Sequence, residues 1–284
     1  MRSWPDPSPT NAFTVDFEDW YHGIELDPST WPSLEKRLEV GTLALLELLQ
    51  EQSVTATFFI LGDAAEQHPD LVREIAAQGH EIGTHGTRHQ FVYNLGKDEF
   101  RKDVAYSLEI LGGLVSGPIY GHRAPYFSIT EGCEWAFEVL QECGIRYDSS
   151  VFPVKNYRYG IPGSPRWRHH RDSGLVELPP TTWRFAGCNL PTAGGAYFRL
   201  FPYTLSRFGL TQANAEGHPG VFYIHPWELD PDHPRLALPY RVRVPHYYNL
   251  RATRSRLRRL LSDVPFTSAS EVLVELTDAE TAVS

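Results

Sequence analysis

"AFTVDFEDW", residues 12–20, begins with apolar and β-branched residues and ends with three acids in four positions. Side chains alternate along a strand, so Val15 and Phe17 fall on one face and Asp16 and Glu18 on the other, with Asp19 at the turn beyond. The stretch reads as a buried strand running out into a site. Outward from it, residues 34–52 carry leucines at helical spacing, and "TATFFILG" (55–62) is a second short apolar run closed by glycine, giving β, α, β. The alternation continues. "PDLVREIAAQGH" (69–80) is helical, "EIGTH" (81–85) strand-like, and 97–111 helical. "IYGHRAP" (119–125) is a strand, 130–143 a helix from a threonine cap, and "IRYDSS" (145–150) a strand. "GVFYIHPWE" (220–228) resumes the strand pattern and 249–262 reads as a closing helix. Such alternation predicts parallel strands with right-handed crossovers, in an open doubly wound sheet or a barrel. In either, the chemistry collects at the C-terminal ends of the strands.

The 284 residues, 42% hydrophobic, can bury a large core, and a formal net charge of −9 argues against a nucleic-acid partner, which needs a concentrated basic surface. The basic run at 251–259 reads as one solvated helix face. Cys133, Cys143 and Cys188 form neither a disulfide framework nor a metal knuckle, and fit reduced thiols. "MRSWPDPSPTNAF" holds no apolar leader, and no run of about 18 apolar residues occurs, so the expectation is a cytoplasmic chain without a membrane span. Residues 1–11 are expected to form a flexible arm and 12–284 a single domain. Its Pro-, Gly- and aromatic-rich insertion at about 153–215 would cover a substrate, and an extension occupies about 231–284.

His85 and His89, in "THGTRH", stand four apart. Twelve histidines in 284 positions give about half such a pair by chance, so the pair needs partners to mean anything. On a helical turn both imidazoles would reach one ion, and a catalytic zinc needs a third ligand and an open position. Three crowded carboxylates at Asp16, Glu18 and Asp19 would be costly to bury without a cation nearby. Arg123, in "GHRAPYF", suits a guanidinium fork that holds a carboxylate, and His225 ends an apolar strand where a barrel would aim a general acid.

Taken together and in order, "VDFED", "THGTRH", "RAPYF", "DSS" (148–150) and "VFYIH" resemble the motifs of the metal-dependent polysaccharide deacetylases with a NodB homology domain, carbohydrate esterase family 4. "TATFFILG" and "GHEIGTH" are further matches, so that the likeness spans about 12–152 and 221–230. "LPTAGGAYFRLFPY" and "HYYNLRATRSRLRRLL" resemble the extra C-terminal region of the deacetylases found with exopolysaccharide synthesis and exosortase systems. The resemblance implies a distorted (β/α) barrel that removes N-acetyl groups from amino sugars of a polysaccharide or oligosaccharide. It implies one divalent ion, Zn2+, on Asp19, His85 and His89. Asp16 or Glu18 would be the base, kept ionised by Arg123, and His225 the acid. The backbone near Tyr126 would face the oxyanion. Where the family shows two adjacent aspartates, base then ligand, this chain reads Glu18 then Asp19; a subgroup with an Asp-x-Asp arrangement would read Asp16 then Glu18. Trp20, Tyr126 and Trp227, with Tyr21 and Trp183, are candidates for stacking on sugar rings, and Gly194, Gly195 and Arg199 for shaping a lid. Two other functions fit the same motifs, a cyclic-amide hydrolase of the allantoinase or imidase type and an inactive carbohydrate-binding homologue.

Overall fold

The computed structural model describes residues 9–24 and 26–274. Strand β1 (Asn11–Phe17) is buried along its whole length. Phe13, Val15 and Phe17 enter the main apolar core under the helices, whereas Ala12, Thr14 and Asp16 face the interior of the sheet. β2 (Thr57–Ile60), β3 (Glu81–Thr84), β4 (Gly121–His122) and β5 (Tyr147–Asp148) continue the sheet in parallel from β1. The next strand in the chain, β6 (His169–His170), is the antiparallel edge, laid against β7 (Val176–Glu177), which itself pairs in parallel with β5. β8 (Thr182–Phe185) and β9 (Cys188–Pro191) form a separate hairpin. β10 (Val221–Ile224) flanks β1 on its other side, and β11 (Phe266–Thr267) pairs with the start of β1.

The sheet curls until β7 and β10 approach one another. Residues leading out of β7 bridge the seam, Thr181 N–H donating to Val221 O at 3.1 Å and Val221 N–H to Thr181 Oγ1 at 2.6 Å. The result is the distorted (β/α) barrel expected from the sequence, closed by a few bonds rather than a ladder.

Five helices follow strands or loops of the first half: α1 (Leu38–Gln52), α2 (Gly62–Gln67), α3 (Pro69–Ala77), α4 (Lys97–Gly112) and α5 (Trp135–Glu142). α6 (Gly195–Leu200) and α7 (Tyr203–Ala215) lie in the expected insertion, and α8 (Tyr240–Tyr247) and α9 (Thr253–Asp263) follow β10. Boundaries differ from expectation where turns intervene. A 3-10 stretch at Pro28–Ser33 delays α1 to Leu38, and another at Leu250–Ala252 delays α9 to Thr253. β1 takes in Asn11, whose side chain bonds Asn214 and Pro265, so the arm expected to reach residue 11 stops short of it; residues 1–8 of that arm and 275–284 of the extension lie outside the described residues. Among the described residues no helix is long and apolar enough to cross a membrane.

Two close approaches set the site. Gly41 in α1 lies against the turn after β10, where a Cβ would sit 2.1 Å from Pro226 O, and Gly194 runs beside β10, where a Cβ would meet Tyr223 O at 2.0 Å. With φ of +110°, Gly194 also needs a backbone conformation that L side chains rarely adopt. The glycines expected at a lid therefore serve packing, fixing the C-terminal end of β10 between α1 and α6.

Candidate active site

Asp16 and Glu18 extend the interior face of β1, and both are buried. Asp16 Oδ1 accepts a hydrogen bond from Arg123 Nη1 at 2.7 Å. The same guanidinium donates to Thr14 Oγ1 at 2.8 Å, to Ser149 O at 3.1 Å and to Ser149 Oγ at 2.8 Å, and stacks on Phe59 at 4.4 Å. Arg123 is fully buried and its charge is met by Asp16, the fork that its sequence setting predicts. Ser149 comes from "DSS", whose Asp148 and Ser150 hold the floor below: Asp148 bonds His122 Nδ1 at 2.6 Å and Ser150 Oγ at 2.6 Å.

Asp19, expected as the metal ligand, points elsewhere, and this is a correction. Its Oδ1 accepts from Trp20 N–H and its Oδ2 from Arg37 N–H, both at 2.8 Å. Both oxygens are thus committed to backbone, the second at the N-terminus of α1, where a carboxylate satisfies an orphan amide and the helix dipole. The period of two explains the choice. It sends Glu18, two residues beyond Asp16, into the barrel mouth and leaves Asp19 off that face.

Glu18 is the carboxylate that meets the histidines. His85 follows β3; its Nδ1–H donates to the Arg123 carbonyl at 2.7 Å, which turns Nε2 to Glu18 Oε2 at 3.8 Å. His89 Nε2 contacts the same oxygen. One donor atom from each of Glu18, His85 and His89 lies within 4.8 Å of the others. The helical turn expected at 85–89 is absent. The chain bends instead, at Gly86 (φ +73°) and His89 (φ +50°), and Asp103 of α4 ties the bend by accepting from Thr87 N–H at 2.9 Å.

The electrostatics suit a cation. Burial pushes His85 down to about 4, leaving a neutral imidazole with a lone pair on the Nε2 that faces Glu18. Burial acts to raise the Glu18 carboxyl, but its contact with His89 and the neighbouring His225 and His85 hold it well below the usual carboxylate range. Glu18 Oε2 accepts no hydrogen bond although it is out of solvent. A buried anionic oxygen facing two imidazole nitrogens is the donor set of a small divalent ion.

His225, just past β10, closes the opposite side. Its Nε2 lies 3.8 Å from Asp16 Oδ2 and 3.7 Å from Glu18 Oε1, while Nδ1 bonds Glu228 Oε1 at 2.8 Å. Burial alone would lower the His225 pKa, but the Glu228 hydrogen bond and the charges of Glu18, Glu228 and Asp16 outweigh it and push it up to about 9. Glu228, itself held down at about 2, bonds Arg199 Nε at 2.5 Å. Glu228 was not singled out from the sequence, although three residues is the spacing at which one helical turn brings side chains together. Arg199, expected at a lid, is 1% exposed and borders the cleft beside Glu228.

A cleft opens over these groups, lined by Tyr126, Tyr157, Arg158, Tyr197, Val242 and Pro245. Tyr126 takes φ of +56°, stacks on Phe91 at 4.2 Å and sets its ring edge-on to His89 at 4.3 Å. Trp227 is walled between His225 (5.3 Å) and His246 (4.4 Å), contributing a floor at the cleft. Trp20 corrects a second expectation. It is fully buried, donates to Glu35 O at 3.0 Å and stacks on His233 at 5.7 Å, so it offers no face to a sugar. Tyr21 is likewise buried, and Trp183 packs on Phe185 and Phe208 away from the cleft.

Residues 30–147 match the polysaccharide deacetylase family, and residues 149–274 match a domain of unknown function, DUF3473. The chain is 38% identical over 189 residues to a peptidoglycan-N-acetylglucosamine deacetylase of Bacillus cereus, covering 62% of this chain and 66% of that protein. It is 49% identical over 45 residues to a chitooligosaccharide deacetylase of Rhizobium leguminosarum bv. trifolii, 16% of this chain and 21% of the relative. The chain therefore spans about two thirds or less of these curated relatives. The crystal structure of a candidate polysaccharide deacetylase from Mycobacterium smegmatis superposes with a TM-score of 0.68 at 24% identity, over 98% of this chain and 94% of that one, a likeness of fold.

Proposed function

From the premise that this chain belongs, through residues 30–147, to the polysaccharide deacetylase family, we propose that it hydrolyses the N-acetyl groups of amino sugars in a glycan. One divalent ion would be held by Glu18, His85 and His89, with zinc the cation that matches two imidazoles and a carboxylate. The observation that carries this reading is the convergence of that donor set with Asp16 and His225 at one barrel mouth, from the ends of three strands, β1, β3 and β10.

When bound, the ion supplies Lewis acidity, lowering the pKa of water towards about 7 and polarising the acetyl carbonyl. The remaining work falls to the chain. Asp16 is the base: Arg123 fixes its Oδ1 and leaves Oδ2 facing the cleft, where it takes the proton of the attacking water. The water oxygen adds to the acetyl carbon, and the C–N bond then breaks as His225 passes the proton on Nε2 to the departing nitrogen, giving a neutral amine and acetic acid, which ionises to acetate in water. Its Nδ1–H is fixed by Glu228, so that Nε2 is the atom presented. The pairing of Asp16 with Glu18 follows the Asp-x-Asp register of the two weighed from the sequence. Backbone near Tyr126 would face the oxyanion. The polymer would belong to exopolysaccharide synthesis, a choice supported by the likeness of "LPTAGGAYFRLFPY" and "HYYNLRATRSRLRRLL" to deacetylases of those systems.

The test is acetate release from N-acetylglucosamine oligomers and from peptidoglycan, run beside metal analysis of the purified protein. Acetate from either glycan, lost in a His85→Ala variant that has also lost its ion, is the expected result. A zinc-loaded protein that releases acetate from neither, yet turns over a cyclic amide, contradicts the proposal.

A further inference from the structure

The region matching a domain of unknown function supplies more than a cover. His225, Glu228 and Arg199 all lie within residues 149–274, whereas Asp16, Glu18, His85 and Arg123 lie before it. Arg199 projects from α6 and is 1% exposed. Its Nε donates to Glu228 Oε2 at 2.5 Å, Nη1 to His246 O at 2.9 Å and Tyr248 O at 2.8 Å, and Nη2 to Pro245 O at 2.7 Å. The guanidinium thus clasps the end of α8 with one edge and the Glu228 carboxylate with the other. It also lies over the Trp227 ring at 5.3 Å, the ring against which His225 is stacked. Glu228 in turn accepts from both His225 N–H (3.1 Å) and His225 Nδ1 (2.8 Å). No other cation contacts Glu228 among the described residues.

We propose that Arg199 is a positioning residue, and that the segment from 149 to 274 acts as an assembly clamp: Arg199 locks α6, α8 and the turn after β10 together so that His225 presents Nε2 to the barrel mouth. This rests on the deacetylase reading above. The alternative is a merely structural clamp, a buried ion pair whose loss lowers stability and nothing else. Buried pairs separate the two cases well. Removing one partner leaves an uncompensated charge, whereas replacing both with neutral groups of similar volume is often neutral for stability.

The variants are Arg199→Lys, Arg199→Met and the double variant Arg199→Met with Glu228→Gln, in the full chain, with kcat and KM for acetate release, thermal midpoint, and 15N shifts of the His225 ring. Expected is an Arg199→Met kcat lower by about 10-fold to 100-fold, part of the 10²–10⁴ that a placed acid contributes, with KM within about 3-fold. Arg199→Lys, which keeps the charge but not the fork, recovers part of kcat. The double variant regains the thermal midpoint without regaining kcat, and in Arg199→Met, where Glu228 is kept, the His225 Nδ1 shift moves from its wild-type position. An Arg199→Met protein whose His225 ring shifts match the wild type, or a double variant whose kcat returns with its stability, overturns the proposal. The ring shifts need no turnover, so they decide the clamp even if the wild type releases no acetate, the outcome that would count against the deacetylase reading instead.

Discussion

Replacing Glu228 with glutamine should move the alkaline limb of catalysis to lower pH. His225 stands at about 9 against an ordinary 6.5, a difference equivalent to about 3 kcal/mol at roughly 1.4 kcal/mol per unit. A group raised in this way works while protonated. Its contribution to stability is complete below 6.5 and is lost as pH rises through about 9, and the same deprotonation removes the proton that the leaving nitrogen needs. Glu228 supplies the hydrogen bond and one of three nearby negative charges, with Glu18 and Asp16 the others. An opposite charge at this range is worth about 1–3 units, and losing Glu228 also strands the Arg199 cation, which pushes the same way. The limb of kcat/KM for acetate release is therefore expected to fall by about 1–2 units, with activity near pH 6 less affected than activity near pH 8. A limb that stays put, or moves up, refutes the assignment of His225 as the acid.

Removing the ion should destabilise the fold, because a buried carboxylate faces two imidazoles with nothing between them. At free metal near 100 times its Kd the linkage is worth about 2.7 kcal/mol, or roughly 5–10 °C for a chain of this size, read as the difference between thermal scans with added zinc and with chelator. An unchanged midpoint would speak against a resident cation. Arg123→Lys keeps the charge but cannot bond Asp16, Thr14 and Ser149 together, and a base misplaced by an ångström costs on the order of 100-fold in kcat; steady-state kinetics with KM unmoved is the expected pattern. Trp20→Ala removes a fully buried indole and should cost about 3–5 kcal/mol in denaturant unfolding without raising KM for a soluble oligosaccharide, whereas a raised KM at unchanged stability would restore Trp20 to the substrate groove.

The strand and helix alternation was legible because the barrel buries whole strands: "TFFI" and "VFYI" are buried at every position, and the runs end where charged groups emerge. β4 and β5 fall inside the runs 119–125 and 145–150 that read as strands, but only two residues of each, Gly-His and Tyr-Asp, are paired. In the site, Arg123, His85, His89 and His225 could be placed from motif order. The choice of Glu18 over Asp19 follows the alternation that sets Asp16 and Glu18 on one face, against the register of two adjacent aspartates that the resemblance implied, and the Arg37 amide holds Asp19 away from the site. Trp20 misled for a related reason: an aromatic beside a catalytic strand end looks the same in sequence whether it faces the cleft or the core. Arg199 and Glu228, 29 residues apart and joined only by the fold, gave no sequence signal as a pair.

Metal content by mass spectrometry, on wild type, Glu18→Gln and Asp19→Asn purified side by side, tests the site most directly. The expected result is about one divalent ion per wild-type chain, its loss in Glu18→Gln, and its retention in Asp19→Asn, which should lose instead one of two backbone acceptors beside α1, at a cost of about 1–3 kcal/mol. An Asp19→Asn protein that folds normally without the ion, beside a Glu18→Gln protein that keeps it, would contradict the assignment of Glu18 to the cation.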